Sequence, residues 1–466
     1  MDVNYRKIIV YLIIRGGRME HKSFITQLAD TTSRFNRKPF IMFPAVIFAL
    51  TPLLMVIASI INKDILLYPY KTYYFIAIVV AIPLAIIDTI LVITGKAAGL
   101  LITRKGKLSL SSIFRNNPTM VLFLLCCIGI VASSLWNQNW SVSATGDLYR
   151  SESLLTVLSY FLVFYLMSVF VTDESDKQKI AFITAIVSAV VSIHAIIVQI
   201  AESGIPAYKA LDPDCSSVFF HFNHYGYYLA IHIMISSGLC IHSRSKVIRL
   251  ISGIIMCLNT IVLNLNDTFG AWFGIIFAWI LLFVIDFVCK RNRKQTVIVF
   301  AVFLTATAVS CLITPNLINS IRQFFTDDVH GVVIDENIST GSSRWQMWKV
   351  ALQCIGEKPI FGWGNEGIDD IIYETIGQSR PHNEYLQYAA FYGLPTGICY
   401  FAGCLFVFLR ALKERSSLSG TRIVCLTAAF AYLVSAFFGN TMFYTTPFLF
   451  ILLGLSWKDE NKTISL

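Results

Sequence analysis

Charged residues are scarce in this 466-residue chain, where Asp, Glu, Lys and Arg together make up only 14% of the sequence. Soluble domains contain about 25% charged residues, so this scarcity argues against a soluble protein and equally against a disordered one. Hydrophobic residues make up 56% of the chain. At roughly 20 residues for each bilayer crossing, this apolar content is enough for about a dozen crossings. The composition therefore predicts a polytopic membrane protein.

Motifs for metal, redox or nucleotide chemistry are also lacking. The 11 cysteines form no Cys-x-x-Cys pair, and most lie inside apolar runs, where thiols pack as small hydrophobic groups. The segment Gly362-Trp363-Gly364-Asn365-Glu366-Gly367 matches GxGxxG, but it follows no buried strand. We interpret its glycines as a tight turn rather than a nucleotide-binding loop. The sequence thus predicts no metal, no cofactor and, without any RNA- or DNA-binding module, no nucleic-acid partner.

The hydrophobic pattern predicts an all-α bundle of about twelve transmembrane spans within one integral-membrane domain at 41–457. The spans are placed at 41–61, 73–94, 119–136, 153–171, 180–200, 224–241, 249–265, 268–289, 295–313, 384–409, 422–438 and 440–456. A basic segment at 1–40 precedes this domain and a short tail at 458–466 follows it. Most connections are short. The exception is the loop at 314–383, and long ordered loops are usually functional.

Basic residues are divided unequally between the two faces of this bundle. With alternate connections assigned to opposite sides, 28 of the 37 Lys and Arg residues fall on one side and nine on the other. Basic connections remain cytoplasmic, so the pattern predicts cytoplasmic termini, an interfacial 1–40 segment and an extracytoplasmic 314–383 loop. The net charge of +9 is then expected to orient the protein and to contact anionic membrane lipids.

A short amphipathic helix is predicted within the long loop, from Ser343 to Gly356. Ser343 and Gln346 fit a capping box, and Gly356 followed by Pro359 is a typical stop signal. The helix carries an apolar stripe, suited to lying on the membrane or on top of the bundle, that consists of Trp345, Trp348, Leu352 and Ile355.

Arg344, in the first turn of this helix, is a candidate anion-binding residue. The N-terminus of a helix is itself positive, so a cation there is disfavoured by about 0.3–1 kcal/mol. An anion bound between Arg344 and the helix N-terminus would make the interaction favourable. Arg344 shares a face with Trp348, one turn further on. The alternative is a solvated arginine beside the lipid headgroups, and the sequence leaves both interpretations open.

His382 is a second candidate, in the segment Arg380-Pro381-His382-Asn383-Glu384 that opens the tenth predicted span. Pro381 suits an initial helical position, which would put His382 at the outer mouth of the helix. The positive end of the helix disfavours an imidazolium, so a neutral His382 would be able to accept a proton. The alternative is an ordinary hydrogen-bonded cap.

In combination these features resemble the O-antigen ligase/polymerase superfamily, most strongly over 340–410. The features are Arg344 with Trp348, the Gly362-Trp363-Gly364 turn, and His382-Asn383 ahead of an apolar helix with Gly393. Supporting patterns open the fourth, sixth and eighth spans, namely Asp147-Leu148-Tyr149-Arg150-Ser151-Glu152, Phe222-Asn223-His224-Tyr225-Gly226 and Asp267-Thr268-Phe269-Gly270-Ala271-Trp272.

The resemblance implies a GT-C-like bundle in the bacterial cytoplasmic membrane, with short helices in its extracytoplasmic catalytic loop. It implies metal-independent glycosyl transfer from a polyprenyl-diphosphate-linked glycan to a glycan or glycolipid acceptor at the outer face. Carried onto this sequence, it assigns the donor diphosphate to Arg344 and assistance of the attacking hydroxyl to His382. Trp348 and Asn383 belong to the same substrate site.

One position departs from the family pattern. Relatives usually have Ser-Arg where this chain has Thr268-Phe269, so an expected diphosphate-binding arginine is missing. We expect Arg150 or Arg380 to replace it, unless the donor itself differs.

Several functions remain open at this stage. Within the superfamily, a polymerase joins repeat units and a ligase moves the finished chain to another acceptor; polymerisation is slightly favoured because no feature specific for a lipid A-core acceptor is present. A transporter or lipid flippase is the alternative from another class, although it predicts charged residues within the spans. A catalytically silent assembly partner is the third possibility.

Overall fold

The described part of the chain is entirely helical. The computed structural model describes residues 38–61, 118–137, 146, 152–171, 173–202, 215–219, 221–323 and 344–457. Its α-helices are α1 (Lys38–Ile61), α2 (Pro118–Trp136), α3 (Leu154–Phe170), α4 (Glu174–Glu202), α5 (Phe222–His242), α6 (Lys246–Asn266), α7 (Phe269–Val288), α8 (Arg293–Ile313), α9 (Asn316–Gln323), α10 (Arg344–Glu357), α11 (Asp369–Ile376), α12 (Glu384–Tyr392), α13 (Leu394–Lys413), α14 (Gly420–Ser435) and α15 (Thr446–Ser456). Two 3₁₀ turns flank α14, at Arg415–Ser417 and Ala436–Phe438.

Seven of the described helices are long and apolar enough to cross a bilayer, which confirms a multi-pass membrane protein. They are α2, α4, α6, α7, α8, α13 and α14 with its following turn. Shorter apolar stretches occur in α1, α3 and α15. The second predicted span, at 73–94, lies outside the described residues, as do 1–37 and 458–466. Twelve spans and a GT-C-like architecture therefore stay predictions.

Helix α5, the predicted sixth span, is the central helix of the bundle. It packs against α6, α7 and α14, and almost all of its side chains are buried. It carries several tyrosines and histidines among these buried positions. A helix enclosed by other helices is shielded from lipid, so it can carry such residues where an outer helix cannot.

Local capping signals determine where several spans begin and end. Ser153, Ser245 and Ser419 each accept a hydrogen bond from a backbone N–H in the first turn of α3, α6 and α14. Asp267 adopts a left-handed conformation with φ 57° and ends α6. The chain therefore reverses between α6 and α7 within two residues.

Connections predicted to be extracytoplasmic meet at one end of the bundle, which we call the outer end. There Asn137 Nδ2 donates to the carbonyl of Gly362 over 3.2 Å, and Arg380 Nη1 lies 2.6 Å from Glu152 Oε2. The Oγ1 of Thr445 donates to a carbonyl in the first turn of α5. The part of the loop from 344 to 383 is thus packed onto the bundle.

Connections predicted to be cytoplasmic meet at the opposite, inner end. Lys177 Nζ donates to the carbonyl of Trp457 over 2.9 Å, and Arg291 donates to the carbonyl of Leu418. The predicted alternation of connections between two faces agrees with these contacts. The assignment of the inner end to the cytoplasm stays a prediction.

The predicted tenth span, 384–409, is not one continuous helix. Gly393 breaks it into α12 and α13, with φ 88° and ψ 156°, a conformation essentially restricted to glycine. Pro395 then stands in the first turn of α13, where it needs no hydrogen-bond partner for its nitrogen. The apolar run continues across Gly393, and for this reason our prediction of one continuous span at 384–409 was wrong.

The Gly-Trp-Gly turn fills the gap that this break leaves. Gly362 and Gly364 have φ values of 63° and 85°, which confirms our interpretation of a tight turn. The Trp363 N–H donates to the carbonyl of Ala390 over 2.9 Å, and the Gly364 N–H donates to that of Phe391 over 2.8 Å. The last carbonyls of α12, which a helix end leaves unpaired, are therefore satisfied by the long loop.

Helix α10 closely matches the predicted range, but its buried face differs from the predicted stripe. The buried side chains are Met347, Ala351, Cys354 and Ile355. Trp345 and Leu352 are 49% and 54% exposed. The small side chains of Ala351 and Cys354 allow close approach to the bundle, and the bulky Trp345 and Leu352 are directed away from it. Contact of that exposed side with the membrane stays a prediction.

Gly393→Ala should destabilise the protein strongly. A Cβ at this position would lie 1.9 Å from the carbonyl oxygen of Ile360, and the backbone conformation excludes other residues. We expect a loss of about 3 kcal/mol in the free energy of unfolding, measured by thermal unfolding of the purified protein in detergent. Gly356→Ala is the matched control, because a Cβ added there would meet nothing within 4 Å. Equal unfolding temperatures for the two variants would contradict the strained break.

Candidate active site

Arg380 lies fully buried among three carboxylates at the outer end. Its Nη1 is 2.6 Å from Glu152 Oε2, its Nη2 is 3.2 Å from Glu366 Oε1, and its Nε is 3.2 Å from Asp369 Oδ2. Burial lowers the pKa of the guanidinium, but the charges of Glu152, Asp369 and Glu366 outweigh burial and raise it above its ordinary value. Arg380 is therefore held charged, with all three of its nitrogens directed at acids.

The Arg380 cluster connects four parts of the chain. Glu152 precedes α3, Glu366 and Asp369 flank the start of α11, and Arg380 precedes α12. The segment before α15 joins through Thr441, whose Oγ1 donates to Glu152 Oε2 over 2.7 Å and whose carbonyl accepts from Arg380 over 3.2 Å. This arrangement favours a structural role for Arg380, because a diphosphate would have to compete with three carboxylates already in place.

Arg344 has a different environment from Arg380. It is the first residue of α10, and its Cζ lies 5.8 Å from the ring centroid of Phe438. Its Nε is buried without a hydrogen-bond partner, and no described carboxylate lies within ion-pair distance of its guanidinium. Tyr227 of α5 holds the backbone beneath this ring, since its hydroxyl donates to the carbonyl of Phe438 over 2.7 Å. Arg344 therefore presents a positive charge that the described protein does not neutralise.

Aromatic rings lie at the start of α7, where the resemblance implies an arginine. Phe269 packs edge to face on Phe273 at 5.0 Å, and Phe273 stacks on Phe438 at 5.5 Å. Thr268 Oγ1 donates its single proton to Asn266 Oδ1 over 2.6 Å and lies 3.2 Å from the carbonyl oxygen of Phe222. The departure at 268–269 thus builds an apolar row that leads to Arg344, with no cation on the described α7 side.

His382 precedes helix α12 rather than lying within its first turn. Asn383 is the N-cap, and its Oδ1 accepts from the N–H groups of Tyr385 and Leu386 at 3.1 Å each. Our placement of Pro381 at the first helical position was wrong, because an asparagine cap two residues later fixes the start. His382 is partly exposed and has a left-handed backbone with φ 46°.

Two neighbours hold this unfavourable conformation of His382. A left-handed backbone costs roughly 1–2 kcal/mol for a residue with a side chain. On one side Arg380 is fixed by its three carboxylates, and on the other Asn383 is 5% exposed and engaged in capping. The imidazole is thereby presented on a short segment anchored at both ends.

Glu384 is a buried acid that sequence reasoning did not single out. It is 0% exposed, and its Oε2 accepts from the Tyr432 hydroxyl over 2.6 Å while its Oε1 accepts from the hydroxyl of Tyr400. The Tyr432 hydroxyl is also 2.8 Å from Thr446 Oγ1. Glu384 therefore connects α12 with α13, α14 and α15. An acid at the start of an apolar run is the signal that could have identified it.

Trp348 and Arg150 are the remaining candidate residues. Trp348 packs edge to face against Trp345 at 6.5 Å, and its Nε1 is buried without a hydrogen-bond partner. Arg150 lies outside the described residues. Helices α10 and α12 are in contact, so Arg344 and the His382 segment are carried by packed elements at the same end. Among the residues described, no three His, Cys, Asp or Glu side chains gather as a metal site would require.

Arg380→Gln should destabilise the fold. Removing the cation that pairs with these buried carboxylates leaves them uncompensated, and such a loss costs about 3–5 kcal/mol. Lys179→Gln is the control, because its ion pair with Asp176 leaves Lys179 62% exposed and is worth less than about 1 kcal/mol. Thermal unfolding separates the two variants. An unchanged unfolding temperature for Arg380→Gln would contradict a structural role for the cluster.

Two comparisons with known proteins agree with the sequence pattern. Residues 252–401, from α6 into α13, match the O-antigen ligase family model and include Arg344, Arg380 and His382. The chain is also similar to the ComP-specific O-oligosaccharyltransferase of Acinetobacter baylyi, with 30% identity over 122 residues. That match covers 26% of this chain and 20% of the relative, so it spans about a fifth of the curated relative's length. The resemblance of this protein to the O-antigen ligase/polymerase superfamily is thereby confirmed.

Proposed function

We propose that this protein transfers an oligosaccharide from a polyprenyl diphosphate to an acceptor hydroxyl at the outer face of the bacterial cytoplasmic membrane. The family match and the multi-pass helical fold support glycan transfer in a membrane. The assignment of a diphosphate-linked donor rests on one observation. The guanidinium of Arg344 has no described carboxylate partner, although its Nε is buried. Arg344 is partly buried, and an anionic substrate would supply both the counter-charge and the hydrogen-bond acceptor that its buried Nε lacks.

The contrast between Arg344 and Arg380 supports the choice of Arg344 for the donor diphosphate. Arg380 is neutralised by three carboxylates, whereas Arg344 faces the ring of Phe438. A guanidinium offers paired N–H groups that match phosphate oxygens in a bidentate way. As the bond to the sugar breaks, negative charge grows on the leaving diphosphate, and a fixed cation stabilises it there.

His382 is assigned to the acceptor. The acceptor oxygen attacks the anomeric carbon, the bond between that carbon and the phosphate oxygen breaks, and its electron pair leaves with the polyprenyl diphosphate. The proton of the acceptor hydroxyl passes to the His382 imidazole. Asn383 fixes the backbone that presents His382, and the ring of Trp348, one helical turn from Arg344, is assigned to a face of the sugar.

Polymerisation and ligation, the two reactions of the superfamily, differ in the acceptor that receives the glycan. The relative is named for transfer to ComP, whereas a polymerase would use a second lipid-linked glycan and a ligase another glycolipid. Incubation of the purified protein with a lipid-linked repeat unit alone distinguishes the cases. A ladder of products on gels indicates polymerisation, and transfer that requires an added glycolipid indicates ligation.

Arg344→Ala should lower glycan transfer by about 10²–10³-fold without changing the unfolding temperature, because it removes charge stabilisation of the leaving group. The transfer rate of Arg344→Lys should lie between those of Arg344→Ala and the unmodified protein, because lysine keeps the charge and loses the bidentate contact. Lys349→Ala is the control, because it removes an exposed cation from the same helix. Initial rates with a labelled lipid-linked donor measure the effect. Equal rates for Arg344→Ala and Lys349→Ala would remove the basis of the proposal.

His382→Ala and His382→Gln should both reduce transfer, by about 10²–10⁴-fold, since neither side chain can take the proton of the acceptor. His382→Gln keeps the approximate size and the hydrogen-bonding capacity, so a loss in this variant points to proton transfer rather than to packing. Glycan length on gels, at matched protein levels, gives the readout in cells. Normal long-chain product from either variant would exclude His382 as the base.

A further inference from the structure

A non-helical segment, Gly439 to Thr445, connects α14 with α15 at the outer end. All seven of its residues are buried. Backbone that lacks helical hydrogen bonds is tolerated inside a membrane protein only where other parts of the protein enclose it or where it lines a cavity. The contacts of this segment therefore show which groups it borders.

Two sets of contacts fix the first part of this segment. The hydroxyl of Tyr227 donates to the carbonyl of Phe438, and a Cβ at Gly439 would lie 2.3 Å from Cε2 of the same tyrosine ring. Two residues further on, the Nε2 of Gln387 donates to Thr441 Oγ1 over 2.7 Å, and the Gln387 Oε1 accepts from the Thr441 N–H over 3.1 Å. The backbone is thus held on both sides of the single residue between them.

Asn440 is that residue, and its amide oxygen has no internal partner. The side chain is 6% exposed, and its Oδ1 is buried without a hydrogen bond. Two other asparagines at the outer end do have partners, because Asn383 caps α12 and the Oδ1 of Asn365 accepts from the Tyr392 hydroxyl over 2.7 Å. Buried polar atoms are nearly always hydrogen-bonded, and an unpaired one is destabilising. A fixed amide without an internal partner is suited to binding a polar ligand.

The neighbours of Asn440 connect it with both groups that are assigned to the reaction. On one side, the ring of Phe438 lies 5.8 Å from the Cζ of Arg344. On the other side, the carbonyl of the next residue accepts from Arg380 over 3.2 Å, and Arg380 precedes His382 by two positions. The sugar that is transferred must extend from the diphosphate to the acceptor hydroxyl, so it has to pass the residue between these two groups.

The geometry points to Asn440 as the residue that binds the sugar attached directly to the donor diphosphate. Its amide oxygen accepts a hydrogen bond from a hydroxyl or an N-acetyl N–H group of that sugar. The inference rests on the proposed function and adds to it a determinant of sugar specificity. A buried acceptor discriminates against a sugar that cannot donate at this point, because such a sugar leaves the amide unpaired. Arg344, in contrast, binds the diphosphate that all such donors share.

Binding of two lipids separates contact with the sugar from contact with the diphosphate. Asn440→Ala should weaken binding of a lipid-linked repeat unit by about 3–10-fold, as the loss of one neutral hydrogen bond does, and leave binding of free polyprenyl diphosphate unchanged. Arg344→Ala should weaken binding of both lipids by about 10–100-fold, because a hydrogen bond to a charged group is stronger. Asn319→Ala is the control, because it removes an exposed asparagine from α9 at the same end. Isothermal titration calorimetry of the purified protein in detergent measures the affinities.

Stability without ligand separates this role from a structural one. The unfolding temperature of Asn440→Ala should equal that of the unmodified protein, because the amide oxygen has no internal partner to lose. If the smaller side chain disturbs packing, Asn440→Leu keeps about the same volume and removes the same hydrogen-bonding groups. Weaker binding of both lipids, or of neither, in the Asn440 variant that folds would overturn the assignment. Failure of the unmodified protein to bind either lipid would count against the proposed function instead.

Specificity for the sugar gives a second readout. Among donors whose first sugar lacks one hydroxyl or the N-acetyl group, one should show a kcat/KM lowered by about tenfold or more in the unmodified protein. In Asn440→Ala the same donor should lose nothing relative to the complete donor, because the acceptor for the missing group has already been removed. Equal discrimination among all these donors by the two proteins would overturn the assignment.

Discussion

The ion cluster around Arg380 is the interaction on which the outer end depends. One guanidinium faces three carboxylates in a place where Arg380 and Glu152 are both essentially buried. Such a cluster adds little folding free energy compared with apolar side chains of the same volume. Removing one member is nevertheless destabilising, because the remaining buried charges lose their partner. It therefore fixes geometry more than it adds stability. The starts of α3, α11 and α12 and the segment before α15 are held together, and the left-handed turn at His382 is held with them.

Arg344 and Arg380, both in the long loop, show that identical side chains take different roles in different environments. Arg380 and Arg344 have the same charge and the same donors, and the sequence treats both as possible diphosphate ligands. Burial among acids commits Arg380 to the protein, whereas the aromatic row from Phe269 to Phe438 gives Arg344 neighbours that cannot neutralise it. With Phe269 where the resemblance implies an arginine, an apolar wall lies beside Arg344. Under the proposed function, binding of the donor diphosphate therefore depends more strongly on Arg344.

The sequence predicts those features that arise from hydrophobic period and charge balance. Eleven of the twelve predicted apolar runs fall on described helices, and a break divides one of them, the run at 384–409. Features that depend on long-range partners were missed. Gly393 breaks a run that hydrophobicity alone reads as continuous, because the compensating N–H groups come from residues some thirty positions earlier. The carboxylates around Arg380 are likewise distant in sequence, and Glu152 is 228 positions away from it.

The break in the predicted tenth span determines how the long loop packs on the bundle. Because α12 ends at Tyr392, its last carbonyls need donors, and the Gly-Trp-Gly turn supplies them only by lying against the bundle. This packing draws the segment from α10 to α12 onto the outer end, where the Cζ of Arg344 lies 5.8 Å from the centroid of the Phe438 ring. A continuous helix would satisfy its own carbonyls and release the turn. Arg344 would then lose the contact with the Phe438 ring that fixes its place at the outer end, where the proposed function requires a cation for the donor diphosphate.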